Sequence, residues 1–449
     1  MPRTASHRPA ARAKAPVERA DAGPSLAGER FEVRVERVAH GGFCVGRHEG
    51  RAVFVRHALP GELVVAEVTE GHEQDRYLRA DAVEVLEPSA DRVAAPCRYA
   101  GPGRCGGCDW QHATPEAQRR LKAEVVREQL QRLAGIEREV EVEAVPGTPD
   151  GLGWRTRVQF AVDGAGHAGL RKSRSHEVVP VEACLIAAPG VEEVGVEARD
   201  WSGVAGVEVI AATGSSDRAV VVTPLPKPEG RMPIVDLDVP VSVLRSDREG
   251  RGRRVHGRGQ VREVAAGHTW KVSGSGFWQV HPAAADVLSE AVLEAAAARP
   301  GETAMDLYCG VGLFAAGLAD AVGADGEVVA VESDPGAVAD ALANLDGYDQ
   351  VMVVEDRVAD AIAKAPEGFG AEVVVLDPPR AGAGRNVVAG IAGLGPRVVA
   401  YVACDPAALA RDLGYFAEHG YRLDTLRAFD LFPMTHHVEC VARLVPEAR

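Results

Sequence analysis

Two different periodicities divide this chain. Between residues 29 and 87, apolar and polar positions alternate in short runs: Phe31-Glu32-Val33-Arg34-Val35, Ala52-Val53-Phe54-Val55 and Leu63-Val64-Val65-Ala66-Glu67-Val68. Gly41-Gly42, Pro60-Gly61 and Gly71 punctuate them. Period-two runs at this spacing predict a small β-barrel that ends near Glu87-Pro88. From about residue 285 the pattern changes. A helix over 286–298 precedes Thr303-Ala-Met-Asp-Leu307, followed by Glu327-Val-Val-Ala-Val331, Val351-Met-Val-Val354, Glu372-Val-Val-Val-Leu376 and Arg397-Val-Val-Ala-Tyr-Val402. Apolar strands separated by helix-length segments predict a parallel, doubly wound sheet, with residues 423–445 closing it as a β-hairpin. Between the two regions lie a helical stretch over 115–133 and an irregular, strand-rich stretch over 154–265 whose elements the periodicity does not order.

A length of 449 residues calls for two or three domains. The pattern divides the chain into a basic tail (1–27), the barrel (28–88), a small central α+β domain (89–270) and the α/β domain (271–449). A hydrophobic fraction of 46% and a charged fraction of 26% are ordinary for a globular protein. No apolar run approaches the roughly eighteen residues a membrane span needs. The first residues are rich in Arg, Ala and Pro without an apolar core, so they fail as a secretory signal and read as disordered. The expected compartment is the cytoplasm, and no obligate protein partner is evident. The net charge of −15 argues mildly against a nucleic-acid coat, yet local patches decide phosphate binding. One such patch exists: seven arginines and only two acids lie between Arg245 and Arg262. Such a run is a flexible surface loop or, for an RNA substrate, a source of phosphate contacts and guanidinium stacking.

Asp306-Leu-Tyr308-Cys-Gly310-Val-Gly312-Leu-Phe314 sits where the first parallel strand turns into its helix. Glycines there let a ligand approach the backbone at the carboxyl edge of the sheet. Glu332 ends the second strand 20 residues after Gly312, suited to a ribose diol. NAD fits that spacing too, but the third glycine of its usual pattern is missing; S-adenosylmethionine has no pyrophosphate and does not need it.

Three segments converge on the same edge: Asp377-Pro378-Pro379-Arg380, Tyr401-Val-Ala-Cys404-Asp405-Pro406 and Met434-Thr-His436-His437-Val-Glu439-Cys440. The prolines fix a rigid loop that presents Asp377. Cys404 is either a small core hydrophobe or, just before Asp-Pro and a new helix, a thiol whose pKa the helix N-terminus lowers. A thiol matters because C5 of uracil is a poor nucleophile until a thiolate adds to C6 and creates an enolate. A base must then remove the C5 proton. Glu439 is a solvated strand carboxylate or that base; His436 and His437 read as loop surface.

On Phe277-Trp-Gln279-Val, Asp306-Leu-Tyr-Cys-Gly310-x-Gly312-x-Phe314, Asp377-Pro-Pro-Arg380, Tyr401-Val-x-Cys404-x-Pro406 and His437-Val-Glu439, in this order, the chain resembles the RNA uracil-5 methyltransferase family, its TRAM-bearing 23S rRNA branch most closely. The resemblance implies a Rossmann-like class I methyltransferase domain behind an OB-like TRAM barrel that captures RNA. It implies Cys404 as nucleophile, Glu439 as base, and S-adenosylmethionine held by Gln279, Tyr308, Gly310, Gly312, Glu332, Asp356 and Asp377. Transfer RNA is the alternative substrate, and a base-nitrogen methyltransferase the alternative enzyme; the latter needs no thiol and typically has an aromatic where Arg380 stands. One departure is Asp405, where the family often has Asn; a charge there would raise the thiol's pKa unless it points to solvent.

Cys97, Cys105 and Cys108, with Cys184 far downstream, form a cysteine cluster. Spacing alone leaves zinc and an iron–sulfur cluster open. The resemblance implies a 4Fe–4S cluster on these four, although the seven residues between Cys97 and Cys105 make a longer first loop than expected.

Overall fold

The computed structural model describes residues 23–226, 230, 232–247, 250–274 and 276–447. Most of the expected basic tail, residues 1–22, lies outside them. The chain divides into two compact units, one running to residue 37 and from 44 to 88, the other comprising 38–43 and 89–449.

The first unit is a closed five-stranded barrel of β1 (Arg30–Val38), β2 (Cys44–His48), β3 (Arg51–Arg56), β4 (Leu63–Glu70) and β5 (Tyr77–Glu87), in the order β1-β2-β3-β5-β4. Alternation sends Val33, Val35, Val53, Val55, Val64, Ala66, Val68, Leu78 and Ala80 inward, where each is at most 3% exposed. The tail's last residues join it: the Leu26 amide donates to the Gly71 carbonyl at 3.0 Å.

In the second unit, α1 (Pro115–Gln129) begins with Thr114 as its cap and Pro115 in its first turn, a position that tolerates a missing N–H. A two-residue strand β6 (Val142–Glu143) follows. The irregular middle of the chain folds as a seven-stranded sheet of β7 (Arg157–Val162), β8 (Ala168–Arg171), β9 (Val178–Pro180), β10 (Val204–Ala211), β11 (Arg218–Pro224), β12 (Ser242–Ser246) and β13 (Gly252–His256), with a short helix α2 (Pro189–Glu192) before β10. Its order is β13-β12-β11-β10-β7-β8-β9, so the arginine run forms its edge hairpin. A separate hairpin, β14 (Gln260–Ala265) and β15 (His268–Ser273), leads into the last region.

There α3 (Ala284–Ala296) precedes the repeating units β16 (Thr303–Leu307), α4 (Leu313–Val322), β17 (Glu327–Glu332), α5 (Pro335–Asn344), β18 (Val351–Glu355), α6 (Val358–Ala363), β19 (Val373–Leu376), α7 (Arg385–Gly393), β20 (Val398–Ala403), α8 (Pro406–Glu418), β21 (Tyr421–Phe429) and β22 (Glu439–Pro446). The sheet order is β18-β17-β16-β19-β20-β22-β21-β6, parallel through β20 and antiparallel for β22. The apolar runs are continuous because both faces are covered. Val373 and Val375 enter the core with α3 and α4, while Val374 and Leu376 enter the opposite core with α7 and α8. The closing hairpin inserts β22, not β21, beside β20, and β6 adds an unforeseen eighth strand.

Lys122 on α1 is fully buried and pairs with Asp430, which follows β21, while also donating to the Phe432 carbonyl at 3.0 Å. Among described residues no helix is long and apolar enough to cross a membrane.

Candidate active site

The glycine loop sits where the expected ligand site lies. Tyr308 adopts a left-handed conformation (φ 63°), as do Gly310 and Gly312. The two glycines serve different ends. A Cβ at Gly312 would come within 2.7 Å of the Leu345 side chain, whereas one at Gly310 would meet nothing within 4 Å. The first allows close packing of α5 on the loop, and the second leaves the loop open toward the sheet edge. Beneath it, Asp306 is completely buried, and burial pushes its carboxyl well above the usual range.

Glu332 accepts from the Gly310 amide at 3.1 Å and from the Ser333 and Asp334 amides at 2.6 and 2.8 Å. Asp356 stands next to it, its amide donating to the Glu332 carbonyl at 3.0 Å and its carboxylate paired with Lys364 at 2.5 Å. Gln279 is half-buried between the buried Trp278 and Val280, whose carbonyl accepts from the Thr156 amide and hydroxyl at 2.8 and 3.0 Å. Phe277 beside them is 70% exposed, unusual for a large aromatic.

The reacting groups meet at the ends of β19, β20 and β22. Ala403 pairs with Cys440, so the next step of the antiparallel ladder brings Cys404 opposite Glu439. Burial pushes the Cys404 thiol up to about 12, the negative Glu439 and Asp377 push the same way, and Arg380 opposes them. This reverses the expectation of a thiol activated by a helix N-terminus. That end of α8 is already satisfied by the Asp405 carboxylate, which accepts from Ala408 at 2.8 Å and from His40 Nε2 at 3.1 Å. Asp405 therefore turns away from the thiol. Burial raises the Asp377 carboxyl to about 7, and burial with the neighbouring Asp377 raises Glu439 well above its ordinary value. The two carboxyls therefore resist being charged together.

Three features escaped the sequence. Asp412, buried on α8, accepts from Ala383 at 2.7 Å, from Gly384 at 3.3 Å and from the Tyr401 hydroxyl at 2.7 Å. It thereby holds the loop that carries Asp377 and Arg380; an acid at apolar spacing on a helix was its only signal. His436 and His437, expected on the surface, are half-buried. His436 Nδ1 lies 2.6 Å from Asp109, and burial lowers the His437 imidazole to about 3, so it is neutral. In the arginine run, Arg262 is committed to Asp217 through contacts of 2.7 and 2.9 Å, and the exposed Arg245 faces Arg253 across the β12–β13 ladder, where the Asp247 carboxylate lies 3.8 Å from Arg253. Like charges so placed are unfavourable unless an anion intervenes.

None of the eight cysteines is in a disulfide. Cys97, Cys105, Cys108 and Cys184 line one cavity of about 70 Å³, with Gln111 donating to Cys108 Sγ at 3.2 Å and accepting from the Cys97 amide at 3.1 Å. Burial raises the Cys184 thiol to about 11 and that of Cys108 further. Among described residues, no three His, Cys, Asp or Glu side chains are gathered closely enough to hold a metal ion.

A doubly wound sheet with an antiparallel seventh strand, an open glycine turn and an acid ending the second strand define a class I methyltransferase. Residues 24–83 match the TRAM domain, and residues 265–445 match the family described as tRNA (Uracil-5-)-methyltransferase. An uncharacterized RNA methyltransferase of Streptomyces avermitilis is 58% identical over 94% of this chain and 99% of its own length. One of Corynebacterium glutamicum is 36% identical over 93% and 97%. The structure of Pyrococcus abyssi tRNA (uracil-54, C5)-methyltransferase in complex with S-adenosyl-L-homocysteine shares the fold, with a TM-score of 0.68 at 23% identity over 92% of this chain and 100% of that one. The chain belongs to the RNA methyltransferases, with a TRAM domain and a domain of the tRNA (Uracil-5-)-methyltransferase family.

The electrostatics of the site make a prediction for the free protein. Alkylation of Cys404 by iodoacetamide, followed by peptide mass spectrometry, should accelerate about tenfold per pH unit from roughly pH 7 to 9, because only the thiolate reacts. A rate that levels off below about pH 8 contradicts a half-buried, carboxylate-flanked thiol.

Proposed function

We propose that the protein transfers a methyl group to C5 of uridine in folded RNA, with 23S rRNA favoured over tRNA. The observation that supports this most is the meeting of Cys404, Glu439, Asp377 and Arg380 at one sheet edge beside the glycine loop. A nitrogen methyltransferase has no use for a thiol in that place. In this reading S-adenosylmethionine supplies an electrophilic methyl group, and Gln279, Tyr308, Gly310, Gly312, Glu332, Asp356 and Asp377 are its binding residues. Residues 28–88 capture RNA, residues 89–270 support it, residues 271–449 perform the transfer, and the reaction belongs in the cytoplasm. The exposed Arg245 on this edge hairpin suits an RNA phosphate.

Cys404 gives its proton to solvent water, the thiolate being favoured by Arg380, and Sγ bonds to C6 of the uracil. The electron pair of the C5–C6 double bond moves toward O4, so C5 can take the methyl group as the methyl–sulfur bond breaks and its electron pair stays on the donor's sulfur. Glu439, ionised while Asp377 holds the proton the two carboxyls share, then accepts the C5 proton. Its high proton affinity in a buried setting is what a base needs to take a proton from carbon. Expulsion of Cys404 Sγ restores the C5–C6 double bond.

The four cysteines are, in our reading, ligands of an iron–sulfur cluster. An all-sulfur donor set around one cavity fits that group by chemistry, with zinc as the alternative. Such a cluster would brace the surrounding chain; methyl transfer itself moves no net electrons.

Two experiments test these assignments. Glu439→Gln should accumulate a denaturation-resistant protein–RNA adduct through Cys404, with turnover down about 100-fold or more. Absence of any adduct while turnover stays near wild type refutes the roles of both residues. Protein purified without oxygen should contain roughly four iron atoms per chain, lost in Cys108→Ala; one zinc per chain in the same preparation refutes the cluster.

A further inference from the structure

The link between β21 and β22 carries one strained residue. Met434 has φ 66°, a left-handed conformation that side chains other than glycine rarely take. It persists only if its surroundings hold it there. Both of its backbone groups are captured from a distant part of the chain. Gln118 Oε1 accepts from the Met434 amide at 2.7 Å, and the Asp109 and Trp110 amides donate to the Met434 carbonyl at 2.9 and 3.0 Å. The Gln118 side-chain amide also reaches the Met434 sulfur at 3.3 Å and donates to the Trp110 and Ala113 carbonyls at 3.2 and 2.9 Å. The Asp109 carboxylate accepts from the His436 amide at 3.1 Å and lies 2.6 Å from its ring Nδ1.

The far side of this clamp is the cysteine cavity. Asp109 directly follows Cys108, and Met434 packs in a small core with Trp154 and Ile186 that Cys108 and Cys184 also touch. Within five residues of Met434 come His437 and the base Glu439.

We infer that Asp109 is a positioning residue: its carboxylate fixes His436 just past the left-handed turn that Gln118 holds at Met434, and so aims the strand that delivers Glu439, tying the cysteine cavity mechanically to the reacting edge. Asp109 meets no reacting atom in this account. Its contribution is to confine a turn that the backbone alone would not keep, and small misplacements of a catalytic group are costly. The inference rests on the role proposed for Glu439.

The test compares wild type, Asp109→Ala and Asp109→Asn by steady-state methylation of RNA and by amide hydrogen exchange over residues 434–437. Asp109→Ala should lower kcat about 10- to 100-fold, leave KM for RNA within about threefold, and speed exchange at the His436 amide. Asp109→Asn keeps an oxygen for that amide and should recover part of both losses. If Asp109→Ala does not fold, Gln118→Met, which removes the acceptor from the Met434 amide at similar volume, should speed exchange there and lower kcat in the same way. Unchanged exchange in a folded variant overturns the inference whatever RNA is methylated, and so does a defect confined to KM. If exchange quickens but the wild type forms no 5-methyluridine, the clamp stands and the assigned reaction fails.

Discussion

Three acidic groups share one poorly hydrated corner of this protein. Cys404, Asp377 and Glu439 stand at the ends of three adjacent strands, and burial raises the proton affinity of each. Removing water makes every charge there costly unless it is met by another. Arg380 offsets part of the cost, and Asp412 holds the loop that carries it. Burial therefore disfavours charge in this corner, and in the proposed reaction the substrate ring would take up the charge of the thiolate. Most of the architecture described above serves to keep these groups together.

That service extends well before the α/β region. The helix α1, the strand β6 and the segment following Cys108 all bear on the catalytic sheet or on its last hairpin. Lys122 anchors Asp430 and Phe432, Gln118 anchors Met434, and Asp109 anchors His436. The hairpin that presents Glu439 is thus held from behind by residues more than 300 positions earlier. A cavity lined by four cysteines sits against the same small core.

What could be read from the sequence follows from burial. The parallel strands were legible because both faces are covered, leaving unbroken runs such as Val373-Val-Val-Leu376; the starts of two helices were legible at Pro115 and at Asp405-Pro406. The middle sheet was not, since its strands are short, several are half-exposed, and β11 and β12 pair in parallel across an irregular connection. The ligand-like residues were legible by motif, but their electrostatics were not. The sequence suggested a thiol made acidic by a helix end, whereas the fold turns Asp405 onto that end and surrounds the thiol with carboxylates. Asp109, Asp412 and the turn at Met434 depend on contacts between distant segments, and no local pattern announces them.

The central claim is a thiol-dependent methylation of uracil carbon. Purified wild type and Cys404→Ala should be incubated with labelled S-adenosylmethionine and RNA from cells lacking this gene, and the ribosomal and transfer RNA fractions analysed by nucleoside mass spectrometry. The account predicts 5-methyluridine in the ribosomal fraction with wild type and none with Cys404→Ala. Label in a different nucleoside, or full activity of Cys404→Ala, would contradict it.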